Sequence, residues 1–286
     1  MADTLAAMVR SRAKTGTQPP TLTIRDVGKL AAAAGVTRRE VELCALAGGV
    51  VPRRYLRNIG TLGVEGQLKL RRARVAVIGA GGLGGALVEL LARLGVGTLV
   101  VADADTFTED NLNRQLLSTE GNIGEGKAAA AAERVSRINS AVEVLPYKMF
   151  VDDANADGFL SGCDLVIDAL DDIPSRLVLQ RAAARLRIPF IHGAIAGFVG
   201  ELMTVFPGDR GLEVLYGEAA SAPEKGIEVT VGTPTVTPVA VAALQAAEAV
   251  KVITGIGELM RDRVLFIDLE TGSTSTLELS PRGGAR

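Results

Sequence analysis

Val75-Ala-Val-Ile-Gly-Ala-Gly-Gly-Leu-Gly-Gly85 opens the most informative stretch of this chain, and Asp103-Ala-Asp105, Asp110-Asn-Leu-Asn-Arg-Gln115 and Gly126-Lys127 complete it. An apolar strand runs into Gly79-x-Gly81-x-x-Gly84 and then into a helix, so the helix N-terminal N–H groups can face a phosphate. Gly79 suits the tight turn, Gly81 (with Gly82 beside it) lets backbone approach a ligand, and Gly84 lets helix pack on strand. Alone, the glycines specify little more than a strand-to-helix turn. Asp103 adds to them: it ends the next strand, Thr98–Ala102, where a carboxylate can accept both ribose hydroxyls. To this point NAD and ATP are equally good ligands.

Asn111, Arg114, Gln115 and Lys127 then place two cations and two amides just beyond that carboxylate and Asp105. A dinucleotide site has no need of them, since its pyrophosphate already rests on the helix N-terminus. A site that expels pyrophosphate does need them, because negative charge gathers on the leaving group. The constellation resembles the ThiF/MoeB/HesA family, bacterial relatives of ubiquitin-activating enzymes, from roughly Tyr55 to Leu279. The resemblance implies adenylylation of the C-terminal glycine of a small ubiquitin-like sulfur-carrier protein ending in Gly-Gly. It also implies ATP and Mg2+ as the nucleotide and metal, a homodimer, and a separate sulfur donor.

Composition agrees with a cytoplasmic enzyme. The 286 residues suffice for one large α/β domain with additions. Aromatic residues make up only 3% and Trp is absent, so Ala, Val, Leu and Ile must fill the core. A net charge of −2 argues against a broad surface for nucleic acid or membrane. The most apolar helix candidate, Val239–Ile253, is interrupted by Gln245, Glu248 and Lys251, and no secretory signal is visible. Cys44 and Cys163 are too few for a disulfide framework or a zinc site, so no zinc is expected.

Two parts are expected. Residues 1–52 read as a mobile tail, ending at Pro19-Pro20, plus a small helical appendage with a capping box at Thr37 and Glu40. Ile24-Arg-Asp-Val-Gly-Lys-Leu followed by Ala34-Gly-Val-Thr37 faintly resembles a helix-turn-helix. Near balance of Arg25, Lys29, Arg38 and Arg39 by Asp26, Glu40 and Glu42 favours packing or partner docking over DNA binding, and both readings stay open. Residues 53–286 read as a Rossmann-like, doubly wound, mostly parallel sheet with an antiparallel C-terminal extension. Strands are expected at Arg74–Ile78, Thr98–Ala102, Glu143–Tyr147, Leu165–Ala169 and Pro189–His192, then Glu201–Phe206, Val264–Asp268 and Thr274–Glu278. Thr237-Pro238 should open a long helix, with Pro at its first position, that stops at Gly255.

Leu165-Val-Ile-Asp-Ala-Leu-Asp-Asp172 puts carboxylates at the C-terminal edge of the sheet, where such folds bind ligands. From the residues alone, a metal-binding loop and an Asp capping the helix at Ile173-Pro174 are equally good readings. The resemblance matches Asp171 to the metal-binding aspartate. Asp172 stands where many relatives have Asn, which puts its nucleotide contact in doubt. Arg54-Tyr-Leu-Arg-Asn58 resembles a family segment whose second arginine, here Arg57, reaches the neighbouring subunit's active site.

Other family features are missing. Paired Cys-x-x-Cys motifs are absent, and Thr230 lies about where many relatives carry a reactive thiol, so adenylation without a covalent thioester is expected. Cys163 reads as a packed small residue and His192, the only histidine, as a satisfied buried group. Gly283-Gly284 resembles a carrier tail and reads as disordered. Three rivals stand beside this reading: an NAD-linked oxidoreductase, a tRNA-modifying dehydratase of the same superfamily, and a non-enzymatic DNA- or protein-binding adaptor.

Overall fold

Successive residues of the strand at Val75 alternate between two buried faces, Val75 and Val77 on one and Ala76 and Ile78 on the other. That is the pattern of a parallel strand covered by helices on both sides. The computed structural model describes residues 2–217 and 228–279; Gly283-Gly284 lies outside them. The first part holds α1 (Ala2–Arg12), β1 (Thr21–Leu22), α2 (Ile24–Ala34), α3 (Arg38–Ala47) and β2 (Val51–Pro52). After α4 (Ile59–Arg72) come β3 (Arg74–Ile78), α5 (Gly82–Leu94), β4 (Thr98–Ala102), α6 (Lys127–Ile138) and β5 (Glu143–Tyr147). Then follow α7 (Ala156–Leu160), β6 (Leu165–Asp168), α8 (Ile173–Leu186), β7 (Phe190–Ala196) and β8 (Val199–Val205). The described chain closes with α9 (Glu213–Tyr216), α10 (Glu228–Val231), α11 (Val236–Thr254), β9 (Arg263–Asp268) and β10 (Ser273–Glu278).

The main sheet has the order β10-β9-β8-β7-β6-β3-β4-β5, parallel from β7 to β5 and antiparallel from β7 to β10. The mostly parallel sheet with its antiparallel C-terminal extension is as expected. Chain order reverses at β3: the chain winds outward through β4 and β5, then returns to β6 on the other side. A crevice opens at that reversal, outside the carboxyl ends of β3 and β6. α5, α6 and α11 cover one face; α7 and α8 cover the other. Pro146 is tolerated because β5 is an edge strand.

The strands β3, β4 and β5 begin and end where the sequence pattern places them. β7 runs past His192 to Ala196, because pairing with β8 continues to Ala196 opposite Val199. α11 begins at Val236, so Pro238 is its third residue rather than its first; Gly255 closes it in a left-handed conformation with φ 77°. This helix is long and apolar enough to span a membrane by length and composition, but here it packs on α5, β7 and β8.

The expectation of a mobile tail is corrected. Residues 2–12 form α1, which inserts Leu5 and Val9 among Leu22, Val27, Leu30, Val41 and Ala45. An isolated helix this short is marginal in water, and burying those two side chains at about 1.5–3 kcal/mol each is what holds it. α2 and α3 both start with complete capping boxes, Thr23 with Asp26 and Thr37 with Glu40. α3, the helix that would enter a DNA groove, is instead lodged between α1 and α2 on one side and α4 on the other, burying Val41, Glu42, Ala45 and Leu46. Glu40 and Ala47 of α3 remain exposed, while its buried face packs the appendage onto the rest of the chain.

Candidate active site

The glycine turn leaves β3 with Gly79 at φ 97°, a conformation that disfavours any side chain. A Cβ on Gly84 would lie 1.8 Å from the Gly79 carbonyl oxygen, so α5 can rest on the turn only without one. Asp103, at the end of β4, closes the turn from the other side. Its Oδ2 accepts from the Ala80 N–H at 2.7 Å and its Oδ1 from the Asp105 N–H at 2.8 Å. Burial pushes its pKa up, and those two N–H groups oppose the shift. Each oxygen keeps a second lone-pair direction for another donor.

A cavity of about 320 Å³ lies over this turn, lined by Gly79, Gly81, Gly82, Asp103, Asp105, Arg114, Gln115, Lys127, Asp171 and Asp172. Ten of the residues singled out from the sequence thus converge, although they come from three separate connections of the sheet, after β3, β4 and β6. Lys127 is the first residue of α6; its Nζ is nearly buried and lies 2.9 Å from Asp105 Oδ2. Arg114 is half-buried and donates to the Asp110 carbonyl at 2.7 Å and to Asn113 Oδ1 at 3.0 Å. Gln115 is buried with its Oε1 unpartnered among the described residues. Such an orphan is costly unless something completes it, and beside a glycine turn it suits a ligand donor.

Other expected residues sit elsewhere. Gly84 works beneath the turn, not in the cavity wall. Asn111 is buried outside the cavity lining, where its Oδ1 accepts from the Thr108 N–H at 3.2 Å and closes the 108–111 turn. Arg57 is exposed in the link between β2 and α4, with no hydrogen bond or ion pair among the described residues. Asp172 lines the cavity but spends its Oδ1 on the Ser175 N–H at 2.8 Å, capping α8. At the acidic strand end, Asp172 caps α8 and Asp171 stands in the cavity wall. Thr230 lies in α10, while its near neighbour Thr233 reaches the cavity wall.

Arg176 escaped the sequence reading. It projects from the first turns of α8, is 8% exposed, and lines both this cavity and a second one of about 260 Å³. The two cavities share Asp171, Arg176 and Ile195; Glu201 and Tyr216 stand in the wall of the second. A lone Arg in a helical pattern has no periodic signal, and its partners come from β6, β8 and α9.

One carboxylate at the crevice, joined by nucleotide phosphates and water, is a donor set suited to Mg2+, which keeps several waters and takes few protein ligands. Among the described residues no group of three or more His, Cys, Asp or Glu is arranged to hold a metal by itself. Gln115, whose amide nitrogen can donate to phosphate, and the Gly81 backbone line the cavity where a polyphosphate would lie. ATP and Mg2+ fit the residues present.

Comparison with known proteins identifies the family. The chain is 39% identical over 220 residues to the SAMP-activating enzyme E1 of Haloferax volcanii, covering 75% of this chain and 80% of that one. It is 32% identical over 239 residues to the molybdopterin-synthase adenylyltransferase of Escherichia coli, covering 81% of this chain and 94% of the relative. Its fold matches the crystal structure of E. coli MccB with ATP at a TM-score of 0.70 and 22% identity, over 80% of this chain and 72% of that one. The model of the ThiF family matches residues 55–284, and the chain belongs to that family.

Proposed function

We propose that this protein adenylylates the C-terminal glycine carboxylate of a small ubiquitin-like sulfur-carrier protein, using ATP and Mg2+ and releasing pyrophosphate. The observation that carries the reading is one cavity that joins the glycine turn, Asp103, the cations Arg114 and Lys127, and Asp171. An NAD-linked oxidoreductase would use the first two and leave the others idle. Relatives named as sulfur-carrier and molybdopterin-synthase adenylyltransferases supply the substrate class.

ATP lies over the turn with its ribose on Asp103. Asp171 would hold Mg2+, which when bound would supply positive charge against the phosphates. A glycine carboxylate oxygen attacks the α-phosphorus; the new O–P bond forms as the bond to the bridging oxygen breaks, and pyrophosphate leaves with that electron pair. Arg114 and Lys127 from one chain, with Arg57 from the partner of a homodimer, neutralise the leaving group, and Gln115 orients the phosphates. Asn111 acts through the 108–111 turn that presents Arg114 and Gln115. No general base is needed, because the nucleophile is already anionic; positioning and electrostatics supply the rate.

No enzyme thioester forms. Burial pushes both thiols up: Cys163 is enclosed, with Sγ 3.7 Å from the Phe159 carbonyl, and Cys44 is half-buried. Neither is an activated nucleophile. The acyl-adenylate passes to a separate sulfur donor. The test is exchange of labelled pyrophosphate into ATP that depends on a carrier ending in Gly-Gly, with a carrier mass raised by one AMP. Tight NAD binding without exchange would replace this reading with the oxidoreductase.

A further inference from the structure

Beneath Asp171 lies a closed ring of five polar side chains from five elements. Asp168 Oδ2 meets His192 Nδ1 at 2.7 Å, and His192 Nε2 meets Glu201 Oε1 at 3.2 Å and the Tyr216 hydroxyl at 3.1 Å. Tyr216 also hydrogen-bonds Glu201, and Arg176 donates to the Tyr216 hydroxyl at 3.4 Å. Arg176 Nε returns to Asp168 Oδ2 at 3.6 Å and closes the ring. Asp168 and His192 are fully buried.

The ring grips the segment that bears Asp171. Asp168 Oδ1 accepts from the Leu170 N–H at 2.9 Å, while Arg176 donates to the Leu170 carbonyl at 2.7 Å. Both polar groups of the residue before Asp171 are thus held by ring members. Asp168 could swing its carboxylate if Oδ2 were released; His192 holds Oδ2 by a hydrogen bond at 2.7 Å, whereas Arg176 Nε stands farther off at 3.6 Å. On the other side, His192 and Tyr216 fix Glu201 in the wall of the second cavity, which meets the nucleotide cavity at Asp171. A purely structural buried histidine needs one partner per nitrogen; this one joins the supports of two cavities.

We propose that His192 is a positioning residue that, through Asp168, holds the 169–172 segment so that Asp171 is presented to the metal, and that ties this segment to the wall of the second cavity. The inference rests on the reading of Asp171 as the Mg2+ ligand. It does not need the carrier to be known.

The test measures binding of the α,β-methylene analogue of ATP by titration calorimetry, with Mg2+ and with chelator; the ratio of affinities is the metal coupling. Residues that orient a metal ligand typically cost about tenfold to a hundredfold in metal affinity when removed. His192→Phe should therefore lose about tenfold of the coupling, as should His192→Gln, whose amide reaches the Glu201 side only. His192→Asn, whose amide nitrogen can stand where Nδ1 stands, should retain the coupling to within about threefold. Stability, read from urea midpoints, should fall in both amide variants, so stability alone would not separate them. Should His192→Phe fail to fold, the Asn and Gln pair carries the test. Equal coupling in the Asn and Gln variants, or wild-type coupling in a folded Phe variant, overturns the inference while Asp171→Asn abolishes coupling. Coupling that survives Asp171→Asn overturns the metal reading itself, and the inference with it.

Discussion

Glu42 of α3 and Arg71 of α4 form an ion pair at 3.3 Å with neither side chain exposed. The pair joins the N-terminal appendage to the nucleotide-binding part. Around it, Tyr55 donates to Glu42 at 3.0 Å, Asn139 donates to the Tyr55 hydroxyl at 2.8 Å, and Arg54 lies 3.6 Å from Glu42. Arg71 also donates to the carbonyls of Val96 and Ala141. Burial pushes the Glu42 carboxyl up against the pull of Arg71 and Arg54. The boundary at residues 52 and 53 is therefore a packed, charged interface rather than a linker.

Breaking such a pair leaves a buried charge without its counter-ion, at a cost of about 3–5 kcal/mol. Glu42→Leu should destabilise the whole protein by that amount, seen as a lower urea midpoint in one cooperative transition. A change below about 1 kcal/mol would mean that the appendage is energetically separate.

Asp171→Asn keeps size and removes the charge proposed to hold Mg2+. Adenylation should fall by roughly two or more orders of magnitude, comparable to losing one preorganised charge-stabilising group. Melting temperature should barely move. Wild-type pyrophosphate exchange would remove Asp171 from the mechanism.

Replacing Cys44 and Cys163 together with Ala should leave acyl-adenylate formation intact, because the proposed chemistry uses no enzyme thiol. The opposing result is a dithiothreitol-sensitive adduct with the carrier that disappears with Cys163.

Arg57 is tested by mixing subunits. If each site combines Arg57 of one chain with Asp171 of the other, Arg57→Ala and Asp171→Asn homodimers are both nearly inactive. Exchange makes half the dimers mixed, each with one intact site, so about one quarter of wild-type activity should return. No recovery, with heterodimers verified by mass, would place Arg57 in its own chain's site, and an active Arg57→Ala homodimer would place it outside the chemistry.

His192 sets a pH dependence. Burial alone would lower its pKa, but the facing carboxylates of Asp168 and Glu201 outweigh burial and the nearby Arg176, so the net shift is upward. Glu201 is lowered by the same contact, which is consistent with an imidazolium between carboxylates. A raised folded-state pKa gives stability that is complete below the unfolded value of 6.5 and is lost as pH climbs through the folded one. Urea midpoints taken from about pH 6 to 9 should fall more steeply for wild type than for His192→Gln. Parallel curves would show that His192 is neutral in the fold.

Much of this could be read from the linear chain, because its information is local. Gly79 to Gly84, the strand at Val75 and the capping box at Thr37 depend on residues within one or two turns of each other. Spacing also brought Asp103, Arg114, Gln115, Lys127 and Asp171 forward as candidates, and the ThiF resemblance gathered them into one reaction. The tail was misjudged because Leu5 and Val9 are only two apolar residues in a polar segment. Their value comes from Val27, Leu30 and Val41, contributed by other helices. The capping bonds of Asn111 and Asp172 depend on how their loops fold, which the residue types alone do not state. The rings around Glu42 and His192 had no linear signal at all. Their members come from different stretches of the chain, and a buried charge becomes tolerable only when sheet order and helix packing bring its partners within hydrogen-bond distance.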